Sequence, residues 1–136
     1  MLVYVGPMGD GSLRTIDSAT LEIVGEWTRR FDEAIRRPKP TGIVIDKKPK
    51  DFVLKDGECY YLFCYDLPMC FDVNVAIHTE TFYEDTFEFK PEVKSVTWMD
   101  NGETVKFEQK DGKITVYTVP FDYGRNLVVR VAKIQC

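Results

Sequence analysis

The chain has 136 residues, 44% of them apolar and 29% charged, with a formal net charge of −4. A length of this order builds one domain with a proper core and at most an appendage, and the composition excludes a disordered or fibrous chain. The acidic excess argues against a general nucleic-acid binder, which needs a basic face to displace counterions, and no apolar run approaches the roughly 20 residues of a membrane-spanning helix.

Residues 2–5 read as a short apolar strand, followed by Gly6-Pro7-Met8-Gly9-Asp10-Gly11. A phosphate-cradling loop needs either G-x-G-x-x-G opening a helix or a lysine and a hydroxyl at its end. Here the spacing is G-x-x-G-x-G and the Asp10 carboxylate, which would repel a phosphate, sits among the glycines. The stretch is therefore expected to be a turn. Beyond it, Leu21, Val24, Trp27, Phe31, Ala34 and Ile35 recur at three- and four-residue steps. That period predicts one helix with a buried stripe, capped by Ser18 or Asp17, with Arg29 and Arg30 near its negative end.

The sequence RRPKPTG follows, and its prolines and glycine are expected neither to continue a helix nor to pair in a sheet. This places a boundary between a strand-turn-helix segment, 1–37, a linker, 38–50, and a β-domain, 51–136. Arg29, Arg30, Arg36, Arg37, Lys39, Lys47, Lys48 and Lys50 concentrate eight of the 18 basic residues around this boundary. The expectation for them is a solvated stretch facing an acidic neighbour rather than a phosphate site.

From residue 43 onward the period changes to two, with turn signals about every ten residues, as in an antiparallel sandwich or barrel. Strands are expected near 51–54, 59–65, 71–77 and 82–89. At the C-terminal end, 93–99, 103–109 and 113–119 read as three strands joined by two tight hairpins, at Asp100-Asn101-Gly102 and Lys110-Asp111-Gly112. Asn-Gly and Asp-Gly supply the positive φ that such turns need. A strand over 125–134 closes a set of seven to eight.

Signals for chemistry are sparse. Cys59, Cys64, Cys70 and Cys136 lack the paired spacing of a zinc site, and His78 is the single histidine. Cys59 and Cys64 are five residues apart on one expected strand, so they should face opposite ways and stay free thiols. His78 reads as a surface residue rather than the base of a nucleophilic pair. Glu84, Asp85 and Glu88 could offer paired carboxylates for glycoside hydrolysis, but they read as a solvated face, with Glu84 and Glu88 on one side and Phe87 and Phe89 on the other. Tyr60, Tyr61, Tyr83, Trp98 and Tyr123 could stack on sugars; the core is the expected place for each, and for Trp98, alternating with Val96, most directly.

Three stretches together resemble the C-terminal end of an alpha-L-fucosidase of glycoside hydrolase family 29. LVYVGPMGDGSL resembles the family's apolar barrel strand and Gly-Pro-x-x-Asp-Gly turn, through Gly6, Pro7, Asp10 and Gly11. IVGEWTRRFDEAI resembles the helix that follows, through Val24, Gly25, Glu26, Trp27, Glu33, Ala34 and Ile35, with Thr28 where leucine is usual and Arg36 where tyrosine is usual. VTWMDNGETVKFEQKDGKITVYTVP resembles the hairpins of the appended sandwich.

The resemblance implies a mainly β chain, an antiparallel β-sandwich of seven to eight strands preceded by a strand-turn-helix remnant of a (β/α)8-like barrel. It implies a non-catalytic accessory role in a parent that hydrolyses terminal alpha-L-fucose by the retaining route. The family's nucleophile and acid/base lie upstream of the turn and no position here matches either, so no catalytic residue, metal or cofactor is assigned and no carbohydrate-binding residue is named. The implied partners are the missing barrel and a fucosylated glycan, in an extracytoplasmic compartment (periplasmic, secreted or lysosomal) for the parent; no nucleic acid and no membrane is expected from the charge and the apolar runs. The chain would then be a fragment or the product of a truncated reading frame. Its helix would have to fold back on the sandwich, or two chains would pair through the N-terminal segment. The competing expectations are a free-standing carbohydrate-binding module and a protein-interaction domain that adds a strand to its partner.

Overall fold

The computed structural model describes residues 5–65, 67, 83–120 and 129–136. Most of the expected strand at 2–5, the one at 71–77, and Cys70, His78 and Tyr123 lie outside them.

The glycine stretch forms a turn. Gly11 has φ 83°, Met8 N–H bonds the carbonyl of Ser12 at 2.7 Å, and Asp10 accepts from the backbone N–H and hydroxyl of Ser12 at 2.9 and 2.6 Å. The carboxylate thus takes for itself a donor that a phosphate loop would present outward.

Two helices follow, α1 (Thr15–Arg30) and α2 (Asp32–Arg36), where the sequence predicts one. The break is Phe31, at φ −106° and ψ 22°, whose side chain is fully buried. Its N–H still bonds Trp27 O at 3.0 Å and its carbonyl accepts from Ala34 N–H at 2.9 Å, so backbone bonding runs on from α1 into α2 across the break. The expected cap is also corrected. Arg14 is the N-cap, without a side-chain bond, and Asp17 lies inside the first turn with its carboxylate on the Arg14 guanidinium at 2.7 Å.

Eight strands among the described residues make two antiparallel sheets. The larger contains β1 (Lys39–Pro40), β2 (Phe52–Asp56), β3 (Cys59–Cys64), β5 (Ser95–Trp98) and β8 (Arg130–Gln135), in the order β1-β2-β3-β8-β5. The smaller contains β4 (Tyr83–Glu88), β6 (Phe107–Lys110) and β7 (Lys113–Thr118), in the order β4-β7-β6. The architecture is the expected mainly β sandwich with a short helical segment.

Strand β3 explains the layering. Its sequence CYYLFC is apolar at every position because both faces of the larger sheet are covered. Tyr60, Leu62 and Cys64 face the smaller sheet, where they join Phe87, Phe89, Ile114 and Val116. Tyr61 and Phe63 face the helices and enclose Phe31 and Ala34 with Val129 and Val131. Trp27 lies against this second cluster and donates its indole N–H to Val129 O at 2.7 Å. The helix has folded back on the sandwich, giving three layers. Cys59 and Cys64 do point to opposite sides, and the three described cysteines are free.

Two segments depart from the sequence reading. Lys39 and Pro40 pair with Lys55 and Leu54, which an edge strand allows because one side of it needs no donor. Farther along the same stretch Ile45 is buried between the sheets, and Asp46 N–H bonds Thr86 O at 2.8 Å. The first expected hairpin turns as foreseen, with Gly102 at φ 77° and its N–H on Trp98 O, and Thr104 bridges to Thr97. The returning chain then leaves β5, buries Val105, and continues as β6 in the other sheet. The second hairpin is as predicted. Asp111 and Gly112 adopt φ 53° and 75°, the left-handed pair of a two-residue turn, with Lys110 opposite Lys113.

Candidate functional site

Two polar constellations stand out. The first lies between the sheets. Strand β4 alternates, so Glu84 and Glu88 are exposed while Asp85 shares the inner face with Phe87 and is 0% exposed. The solvated reading of Asp85 is thereby corrected. Period two already contained that signal, because residues 85, 87 and 89 share a face. Its partner was not legible. Lys48, from the stretch expected to be solvated, reaches inward to place its ammonium 2.6 Å from Asp85 Oδ1 and 3.9 Å from Asp51 Oδ2. Thr118 donates its hydroxyl to Asp85 Oδ2 at 2.6 Å, and Asp51 Oδ1 accepts the N–H of Tyr65 at 2.6 Å. Nearby, Arg130 forks onto Asp100 at 3.1 Å, donates to the carbonyls of Val119 and Pro120, and lies 4.0 Å over the Trp98 ring.

This cluster ties the two sheets together. A glycosidase needs two carboxyl groups open to a sugar and a water. Asp51 and Asp85 are instead buried on one ammonium, and neither lines the surface depressions described below. Burial, reinforced by the two carboxylates, pushes the Cys64 thiol well above its ordinary value, so it is a packed hydrophobe rather than a nucleophile. Tyr60, Tyr61 and Trp98 are core residues and Tyr83 is half-buried; no sugar-stacking platform forms from them. Among the described residues no three His, Cys, Asp or Glu side chains are placed to hold a metal, and no helix is long and apolar enough to cross a membrane.

The second constellation lies where α2 meets the larger sheet. Glu33 Oε1 accepts from Lys133 Nζ at 2.6 Å and from the Tyr61 hydroxyl at 2.8 Å. Lys133 and then Tyr61 hold the Glu33 carboxyl below its ordinary 4.5, while burial, and then Glu33, raises the Tyr61 phenol. Because the carboxyl is depressed in the fold, its contribution to docking α2 is complete above its unfolded value and is lost as pH falls through the lower folded one. Glu33 is nearly half exposed, so the effect is modest. Trp27 emission is expected to shift on acidification below about pH 4.5, and Glu33→Gln should blunt that shift while weakening docking at neutral pH. Identical titrations of the two proteins would refute the assignment.

Around Glu33 runs a depression of about 740 Å³, whose cations are Arg29, Arg30, Arg36, Arg37 and Lys133. A second, of about 520 Å³, shares Arg37 and adds Lys39 and Lys55. Sequence reading placed the arginines in one run but could not join them to Lys55 and Lys133.

No family model and no curated protein matches the chain. Solved structures do. The alpha-fucosidase of Thermotoga maritima superposes on 98% of this chain with a TM-score of 0.66 and 16% identity. An alpha-L-fucosidase GH29 of Bacteroides thetaiotaomicron covers 99% with a TM-score of 0.66 and 18% identity, and a bacterial fucosidase covers 99% with a TM-score of 0.69 and 17% identity. The chain has the fold of part of an alpha-fucosidase. It spans 30%, 28% and 27% of the lengths of those three chains. The resemblance carried by the glycine turn, the Trp27 helix and the hairpins is thus borne out at the level of the fold.

Proposed function

We propose that the chain is the C-terminal, non-catalytic accessory part of an alpha-L-fucosidase-like glycoside hydrolase, whose reaction as a whole is hydrolysis of terminal alpha-L-fucose. The observation that carries this reading is the lopsided match, in which nearly all of this chain corresponds to under a third of a fucosidase. The chemistry of the described residues agrees with it. Their buried carboxylates are held by an ammonium between two sheets, where they stabilise the fold and are closed to a sugar. In the parent, the three-layer unit would brace the barrel, with exposed Leu13, Ile16 and Ile23 on and beside α1 as apolar surface available to it.

The isolated chain is expected to give no turnover of a chromogenic alpha-L-fucoside, and the DNA upstream of the Met1 codon is expected to encode a barrel in frame. Turnover that disappears when one acid of this chain is neutralised would overturn the accessory reading. An upstream sequence without a barrel would overturn the parentage.

A further inference from the structure

We infer that the cationic groove between α2 and the larger sheet binds an oligosaccharide bearing anionic groups, either sulfate esters or uronic carboxylates. The choice of a sugar rests in part on the glycosidase reading above; the groove itself does not.

Charge is the first argument. The larger depression lies on the helix side of the larger sheet, with Met99; the second, which shares Arg37, lies on the side that Tyr60 faces. The lining of the larger holds five cations against two carboxylates, an excess of three positive charges on a chain whose net charge is −4, which leaves −7 for the rest. A surface of the opposite sign to the whole molecule focuses anions.

The second argument is how weakly the arginines are held, in contrast to Lys133, which Glu33 holds at 2.6 Å. Arg30 pairs with Glu26, Arg36 with Asp32, and Arg37 with Asp56 at 3.6 Å, and the Arg36 and Arg37 side chains are 75% and 80% exposed. Arg29 bonds the carbonyl of Gly25. Exposed pairs of this kind contribute little and exchange readily for an anion that offers two oxygens to a guanidinium fork. Arginine predominates in the larger depression, and its planar donors suit sulfate and carboxylate alike.

The third argument is what the lining lacks. A bound peptide needs apolar sockets for anchoring side chains, and among its described residues the larger depression offers Met99 alone as an apolar one. Single-stranded nucleic acid needs aromatic platforms, and among the described residues of that lining there is none. A hydroxyl-rich chain with charges on its outside matches a polar, cationic groove open to solvent.

The test is titration of the whole chain, at low and at physiological salt, with a sulfated heparin-type oligosaccharide, an oligogalacturonate, polyglutamate and an oligothymidylate. Saturable binding of one or both sugars is expected, at least tenfold weaker at the higher salt and at least tenfold weaker in Arg29→Ala/Arg36→Ala/Arg37→Ala. The stronger of the two sugars identifies the anion. Lys106→Ala/Lys110→Ala, at the edge of the other sheet, should leave binding unchanged. Should the triple variant not fold, Arg37→Ala alone, at a solvent-facing position, is expected to weaken binding about threefold. No binding of either sugar, binding insensitive to the arginines, or equal binding of polyglutamate or oligothymidylate overturns the inference. None of those results touches the parentage, which the upstream sequence decides.

Discussion

Replacing Asp85 by alanine is expected to cost about 3 kcal/mol of stability, because removing one partner strands a largely buried charge. For a chain of this size that lowers the unfolding midpoint by roughly 10 °C. The carboxylate is fully buried and takes both the Lys48 ammonium and the Thr118 hydroxyl at 2.6 Å. Without it Lys48 must find water or lean on Asp51, whose nearer oxygen is 3.9 Å away. Lys48→Met in the Asp85→Ala background should return part of the loss, since a neutral, flexible chain then fills the site. Thermal unfolding followed by circular dichroism reads both effects. A loss below about 1 kcal/mol, typical of exposed pairs, would mean that the cluster is wet.

Phe31→Ala is expected to cost about 3 to 4 kcal/mol, the range for deleting a buried ring. Its side chain is fully buried, 5.3 Å from the Trp27 ring, among Tyr61, Phe63 and Val131. The shared cluster makes a stronger claim than the magnitude, because helices and sheet should melt together. Trp27 emission and the far-ultraviolet signal of the sheets are therefore expected to move to the same lower midpoint in this variant. If emission alone moved, the helical segment would be an appendage on an independently stable sandwich.

These two substitutions probe features that lie at different distances from the sequence. The pairing of β6 with β7 was legible because Asp111-Gly112 meets a local demand for positive φ, between strands that alternate over a few residues. The stripe through Trp27, Phe31 and Ala34 was legible for the same reason, since a helical period is a local property. The inner position of Asp85 was available from alternation too, but acidity outweighed position in the reading. The fucosidase likeness rested on the turn, the helix and the hairpins, and the likeness of fold extends over 98% to 99% of the chain at 16% to 18% identity.

The amino-acid order by itself determined the period of each segment and the residues that turn the chain. Tertiary packing alone decided that Phe31 would interrupt the helix, that Pro40 would edge a sheet, that the strand after Gly102 would change sheets, and that Lys48 would meet Asp85 across 37 residues of chain. The physical reason is range. Dihedral preference and periodicity act over a few residues and leave their mark in the sequence. The burial of a ring or the pairing of a charge depends on surfaces that approach only when distant segments are already in place.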